Sequence, residues 1–229
     1  MTRTFQTHPS GKQQPMSTSR KAPSFELIEI SGPVGSLECL RLSSALETTI
    51  GIVLVAHPNP TEGGTFSNKI VHTLAKTLSR LGYVAYCPNL RGVGNSAGTF
   101  ENGVGEVDDM AAVLAFARNE HPMLSRLTLA GFSFGTFVQS QLCQRIGSDE
   151  VEGLILIGPA VSRHNFPTVP VGKTLLIHGE EDEVISLETV LNWARPQSLP
   201  VVIFPGVGHY FHGKLTQLSD WVNKEWQTR

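Results

Sequence analysis

Between Leu127 and Gln144 the sequence reads LTLAGFSFGTFVQSQLCQ. Leu127, Leu129 and Ala130 form an apolar strand-like run, and Phe137, Val138, Leu142 and Cys143 recur at helical spacing. Gly131, Phe132, Ser133, Phe134 and Gly135 lie between them, so the chain must pass from strand to helix through a tight turn with a serine at its apex. Such a turn strains the backbone of the apex residue and leaves no room for side chains two residues to either side, where this chain has glycines. The Ser133 hydroxyl is thereby held clear of the sheet. The Phe134 N–H falls at a helix N-terminus, where unpaired amides favour developing negative charge. The Gly-x-Ser-x-Gly pattern in this setting is a nucleophile elbow.

The 229 residues suffice for one domain with a substantial core. Charged residues are 17% of the chain and the net charge is −2, which gives no basic surface for nucleic acid or an anionic membrane. No apolar run approaches the roughly 18 residues that span a bilayer. Cys39, Cys87 and Cys143 are odd in number, far apart and each set in an apolar pattern, so neither a disulfide framework nor a metal site is expected. Buried free thiols in the cytoplasm are.

Residues 1–23 carry Arg3, Lys12, Arg20 and Lys21 without an acid and lack the apolar core of a secretory signal. They are expected to form a disordered basic tail ahead of a domain over 24–229. Phe25 to Ile30 and Ser36 to Leu42 flank Gly32-Pro33-Val34-Gly35 as a hairpin at a sheet edge. Ile50 to Ala56 is a continuous aliphatic run suited to a strand buried on both faces. Further strands are expected at Tyr83 to Pro88, Leu127 to Ala130, Val151 to Ile157, Lys173 to His178 and Val201 to Phe204. Amphipathic helices are expected at Ser67 to Leu81, Val104 to Glu120, Ser186 to Ala194 and Lys214 to Gln227, besides the helix after Ser133. Eight strands, mostly alternating with helices, imply an α/β fold with a largely parallel sheet covered on both faces. Trp221, Val222 and Trp226 are either core or a dimer face, and both monomer and homodimer are open.

A serine hydroxyl needs a histidine to accept its proton and a carboxylate to hold that histidine. In an open parallel sheet such groups lie past the carboxyl ends of strands. After His178 comes Gly-Glu-Glu-Asp-Glu, residues 179–183; after Phe204 comes Pro-Gly-Val-Gly-His, with His209 in a glycine loop. The chain order is serine, acid, histidine, the order of the α/β-hydrolases.

The stretches HPNPTEGGTFSNKIVHTLAKTL, NLRGVGNSAGTFENGVGEVDD, GFSFG, HGEEDEV and GHYFHG, spread over residues 57–213, make the resemblance specific. The chain resembles an α/β-hydrolase, and more narrowly the small capless bacterial family related to dienelactone hydrolases. The resemblance implies Ser133 as nucleophile, Asp182 as acid, the fifth residue of His-Gly-x-x-Asp, and His209 as base, with His212 the runner-up and Glu180, Glu181 and Glu183 bystanders. Ser186 stands where relatives often carry proline, a departure in a turn. A second oxyanion donor beside Phe134 should come from the loop after the third strand. In His57-Pro58-Asn59-Pro60 the prolines have no N–H, which leaves Asn59; His57 is read as a prop for that loop rather than a catalytic group.

The glycines around Arg91 do not open a helix, and Gly98 is misplaced for a dinucleotide fingerprint. Arg91 is instead expected to pair with Asp108 or Asp109, and the glycines to pass close to the elbow. Residues 158–173, with three prolines, are too few for a cap domain. The site is therefore expected to be shallow, with specificity left to a few loop residues; Phe134, Phe166, Tyr210 and Phe211 are candidates, and plain packing is an equal reading of them. The expected function is hydrolysis of small carboxylic esters through an acyl-enzyme, with activity rising as His209 gives up its proton. No metal or cofactor and no partner beyond a small acyl substrate is expected. The rival readings are a thioesterase, amidase or acyltransferase with the same residues, and a non-catalytic binding protein on the same scaffold.

Overall fold

The computed structural model describes residues 21–227. The expected tail thus falls mostly outside the described residues. Within residues 21–23, Lys21 donates its backbone N–H to Ala45 O at 2.8 Å.

Strands β1 (Phe25–Gly32) and β2 (Gly35–Leu42) form the expected hairpin, with Phe25 opposite Leu42 and Gly32 opposite Gly35. Then follow β3 (Gly51–Ala56), α1 (Lys69–Arg80), β4 (Tyr83–Pro88), α2 (Val104–Glu120), β5 (Arg126–Phe132), α3 (Phe134–Ile146), β6 (Gly153–Ile157), β7 (Thr174–Gly179), α4 (Leu187–Ala194), β8 (Val201–Phe204) and α5 (Leu215–Gln227). The sheet order is β1-β2-β4-β3-β5-β6-β7-β8. Pairing is antiparallel for β1–β2 and β2–β4 and parallel from β4 onward.

The aliphatic strands behave as a doubly buried sheet requires, because successive side chains point to opposite faces. In β3, Ile52 and Leu54 join the core packed by Val107, Met110 and Val113 of α2 and by Val138 and Leu142 of α3. Val53 and Val55 join the opposite core, with Ile70, Val71, Leu74 and Leu78 of α1 and Leu218, Val222 and Trp226 of α5. Each such leucine or valine, fully buried, contributes roughly 1.5–3 kcal/mol. Val222 and Trp226 are therefore core, and the Trp226 indole N–H reaches Thr128 Oγ1 at 3.2 Å. The three cysteines are free and buried, and burial pushes the Cys87 thiol up to about 12.

Helix α1 starts two residues later than its apolar spacing suggests because Asn68 caps it, its Oδ1 accepting the Ile70 N–H at 2.8 Å. Between β6 and β7 the chain makes only a short loop and a single 3₁₀ turn at Val171–Lys173; no cap covers the sheet there. No helix among the described residues is long and apolar enough to cross a membrane.

Candidate active site

The turn after β5 is as tight as the two glycines demand. Ser133 adopts φ +52°, ψ −119°, a region that residues with a Cβ occupy only under strain. A Cβ on Gly131 would lie 2.4 Å from Gly135 O, and one on Gly135 would lie 2.3 Å from Ala56 O and 2.7 Å from His57 O. The first glycine lets α3 fold back against β5. The second lets the loop after β3 lie against the start of α3. The Ser133 N–H is tied to Ile157 O at 2.9 Å, so the strained residue is held by β6 as well as by its own turn.

Asp182 and His209 converge on this serine from β7 and β8. His209 Nε2 is 3.0 Å from Ser133 Oγ, and His209 Nδ1 is 2.7 Å from Asp182 Oδ2. An ionised carboxylate only accepts, so Nδ1 carries the hydrogen and Nε2 is left to accept from the serine hydroxyl. The other carboxylate oxygen, Oδ1, accepts the N–H groups of Val184 and Ile185 at 2.9 and 2.8 Å. Burial alone would raise the Asp182 pKa. The hydrogen bonds from His209 and from the Ile185 amide outweigh it and hold the carboxyl below the usual carboxylate range. The imidazole of His209 is buried, its ring centroid 4.9 Å from that of Phe132. His212, the alternative base, is exposed and lies 5.8 Å ring to ring from Tyr210.

The loop that presents His209 is held by two acidic side chains of the turn after β7. Glu180 Oε2 accepts the Gly206 N–H at 2.9 Å, and Glu183 Oε2 accepts the His209 N–H at 3.3 Å. Two of the three glutamates treated as bystanders are thus supports. A hydrogen bond to a distant backbone amide leaves no pattern that a sequence shows.

Asn59 stands at the entry to a 3₁₀ turn, with φ −53° and its side chain accepting the Thr61 N–H. Among the described residues, no acceptor is paired with the backbone N–H of Asn59 or with that of Phe134. His57 props this loop. Its Nε2 accepts the Leu90 N–H at 3.0 Å, so Nδ1 carries the hydrogen and donates to Pro58 O at 2.7 Å. The ring is fully buried, and desolvation pulls its pKa from 6.5 to about 4. Unfolding restores the ordinary value, so the unfolded chain binds the extra proton throughout that window. The contribution is complete above pH 6.5 and is lost as pH falls toward 4, amounting to about 3 kcal/mol for this residue. Urea unfolding of wild type and His57→Gln between pH 7 and 4 checks this: the wild type should lose more stability on acidification, and parallel curves would refute it.

Arg91 takes Asp109, not Asp108. Its Nη2 is 2.8 Å from Asp109 Oδ1, its backbone N–H reaches Asp109 Oδ2 at 2.9 Å, and Nη1 reaches Glu101 at 2.9 Å. Asp108 pairs on the surface with Arg145. Gly105, inside α2, exists to admit the guanidinium, since a Cβ there would lie 1.8 Å from Arg91 Nη1. The glycines of the loop do not approach the elbow as expected. Gly92 faces Gly98 to Phe100, and Gly94 faces Asn89 and Glu38. It is Gly103 that packs on Phe137 of the elbow helix.

Of the four candidates for setting specificity, two are core. Phe211 is fully buried against Phe204, and Phe134 turns its ring inward onto Phe100 and His164. Phe166 is part of the same aromatic row, between Phe137 and Trp193. Tyr210 is 44% exposed, with its ring 5.2 Å from that of His209. Among the described residues no cluster of three or more His, Cys, Asp or Glu is arranged to hold a metal ion.

The family described as serine aminopeptidase, S33, matches residues 51–173, more than half the chain and including the elbow. The chain belongs to this α/β-hydrolase family. The hydrolase is 31% identical over 209 residues, 86% of either chain, to an uncharacterized protein of Rickettsia prowazekii (strain Madrid E). Its fold is similar to that of an α/β serine hydrolase without a lid from Xanthomonas campestris, with 32% identity, a TM-score of 0.82 and coverage of 94% of this chain and 98% of that one. An α/β serine hydrolase homologue from Coxiella burnetii is 34% identical with a TM-score of 0.77, over 87% of this chain and 96% of its own. The absence of a cap from the hydrolase agrees with the lidless neighbour.

Proposed function

We propose that the protein hydrolyses small carboxylic esters, with Ser133 as nucleophile, His209 as general base and acid, and Asp182 as the group that orients His209. The observation that carries this reading is the hydrogen-bonded line from Ser133 Oγ through His209 to Asp182, at 3.0 and 2.7 Å. His209 Nε2 takes the hydroxyl proton as Oγ bonds to the ester carbonyl carbon. The carbonyl oxygen becomes an oxyanion facing the N–H groups of Phe134 and Asn59. Collapse of the adduct breaks the bond to the alkoxy oxygen, which leaves as an alcohol with the proton from His209. Water then gives a proton to His209, its oxygen bonds to the acyl carbon, and the acid departs as Ser133 recovers its proton. Asp182 remains a carboxylate throughout and stabilises the transient imidazolium.

The short loop over residues 158–170 puts no cap over the sheet, and Ser133 itself is buried, 7% exposed, which favours small acyl groups. The half-exposed Tyr210 beside His209 is placed to touch the departing alcohol. Comparison of acetate esters, thioesters and amino-acid anilides in wild type and Ser133→Ala tests the reading. Ester turnover that vanishes with Ser133 is expected; preferred cleavage of anilides would move the substrate class to peptides, and turnover undiminished in Ser133→Ala would remove the mechanism.

The Asn59 amide carries its own expectation. The φ of −53° suits proline, so Asn59→Pro removes one N–H with little backbone change and should lower kcat by about 10²-fold. Asn59→Ala loses the side-chain cap on Thr61 but keeps the amide, and should turn over near the wild-type rate. Equal losses in both variants would assign the effect to the cap.

A further inference from the structure

Asp182 faces a second histidine. His178, next to last in β7, is completely buried and contacts no solvent. Its Nε2 lies 2.9 Å from Ile185 O, and since a carbonyl only accepts, that nitrogen carries the ring hydrogen. The same Nε2 is 3.5 Å from Asp182 Oδ2, the oxygen that holds His209. The other ring nitrogen, Nδ1, is buried and has no hydrogen-bond partner among the described residues.

The unpartnered Nδ1 is the informative part. Leaving a buried ring nitrogen unsatisfied is unfavourable relative to a residue with no polar atom there. A leucine would fill similar space without that penalty. The ring makes its polar contacts through its other edge, and that edge faces the turn 182–185. The Nε2–H fixes Ile185 O, the Ile185 N–H fixes Asp182 Oδ1 at 2.8 Å, and Nε2 lies 3.5 Å from Oδ2. The carboxylate is thus gripped on both oxygens.

We propose that His178 is a positioning residue for the acid: its Nε2–H locks the turn and the rotamer of Asp182 so that Oδ2 is aimed at His209. The inference rests on the reading of Ser133, His209 and Asp182 given above. It also accounts for the neutral form of the ring. Burial disfavours its charge, Asp182 and the Ile185 carbonyl pull the other way, and His209 opposes it again. A neutral His178 leaves the imidazolium of His209 as the one cation at Asp182 during turnover.

Three variants test this, read by the rate of fluorophosphonate labelling of Ser133 and by kcat and KM on 4-nitrophenyl acetate. His178→Leu should fold and lower kcat and labelling about tenfold with little change in KM, as expected for a misaimed catalytic group. His178→Gln, whose amide nitrogen reaches where Nε2 was, should recover most of the loss. In an Asp182→Asn background, His178→Leu should cost less than about twofold, because a residue acting through Asp182 has nothing left to position. The downfield proton resonance of His209 Nδ1 should shift in His178→Leu and return in His178→Gln. If the leucine variant does not fold, His178→Asn, with an amide too short to reach the turn, replaces it in every comparison.

A folded His178→Leu that labels at the wild-type rate overturns the proposal, as does an undiminished tenfold loss in the Asp182→Asn background. Wild-type protein that fails to label at all would instead overturn the reading of Ser133 itself, so the two failures are distinguishable.

Discussion

His209→Ala loses about 10⁴-fold or more in kcat on a small ester, with KM nearly unchanged. The expectation follows from geometry. The Nε2 atom is the group placed to take the Ser133 proton, at 3.0 Å, and no second base shares the position, since His212 points into solvent. In the proposed mechanism nucleophile and base act as one unit, so adding Ser133→Ala to His209→Ala should cost little more than either change alone. Labelling by a fluorophosphonate gives the independent check, because it reads the nucleophilicity of Ser133 without substrate turnover. A folded His209→Ala protein that labels as fast as wild type would transfer the base to another residue.

Asp109→Ala destabilises the fold by about 3–5 kcal/mol, because it leaves the guanidinium of Arg91 buried without its principal partner. The neighbouring change Asp108→Ala shifts stability by no more than about 1 kcal/mol, since its pairing with Arg145 is on the surface. Urea midpoints of the two variants measured side by side decide the matter, and equal losses would contradict the assignment. The Glu101 contact softens the first effect without removing it, because that carboxylate is half exposed and meets the arginine through one nitrogen alone.

These adjacent aspartates also show where sequence reasoning ends. Both lie in the first turns of α2, where an acid suits the helix dipole, and which one turns inward depends on the rotation of the helix against Arg91. Strand Ile50 to Ala56 and the elbow were legible because alternating burial and backbone crowding write themselves into residue type. Ser133, Asp182 and His209 were legible as positions past strand ends, in a fixed order. The supports of Glu180 and Glu183, and the contacts of His178, were not. Each depends on side-chain direction at a loop, which no periodicity records. The aromatics left two readings open for a related reason: Phe211 and Tyr210 are neighbours in the chain, yet Phe211 is buried against Phe204 while Tyr210 stays exposed.

Strand β8 has four residues, lies at the edge of the sheet and hydrogen-bonds to β7 alone. Its far end leads into the loop that carries His209, whereas Ser133 leaves β5, flanked on both sides by other strands. Edge elements open at lower free energy than central ones. Ser133 and His209, the proposed nucleophile and base, therefore sit on parts of the molecule with different expected resistance to denaturant. With the roles proposed for Ser133 and His209, activity should fade while the bulk of the sheet still resists exchange, and local opening at β8 would then limit the working lifetime before the core melts.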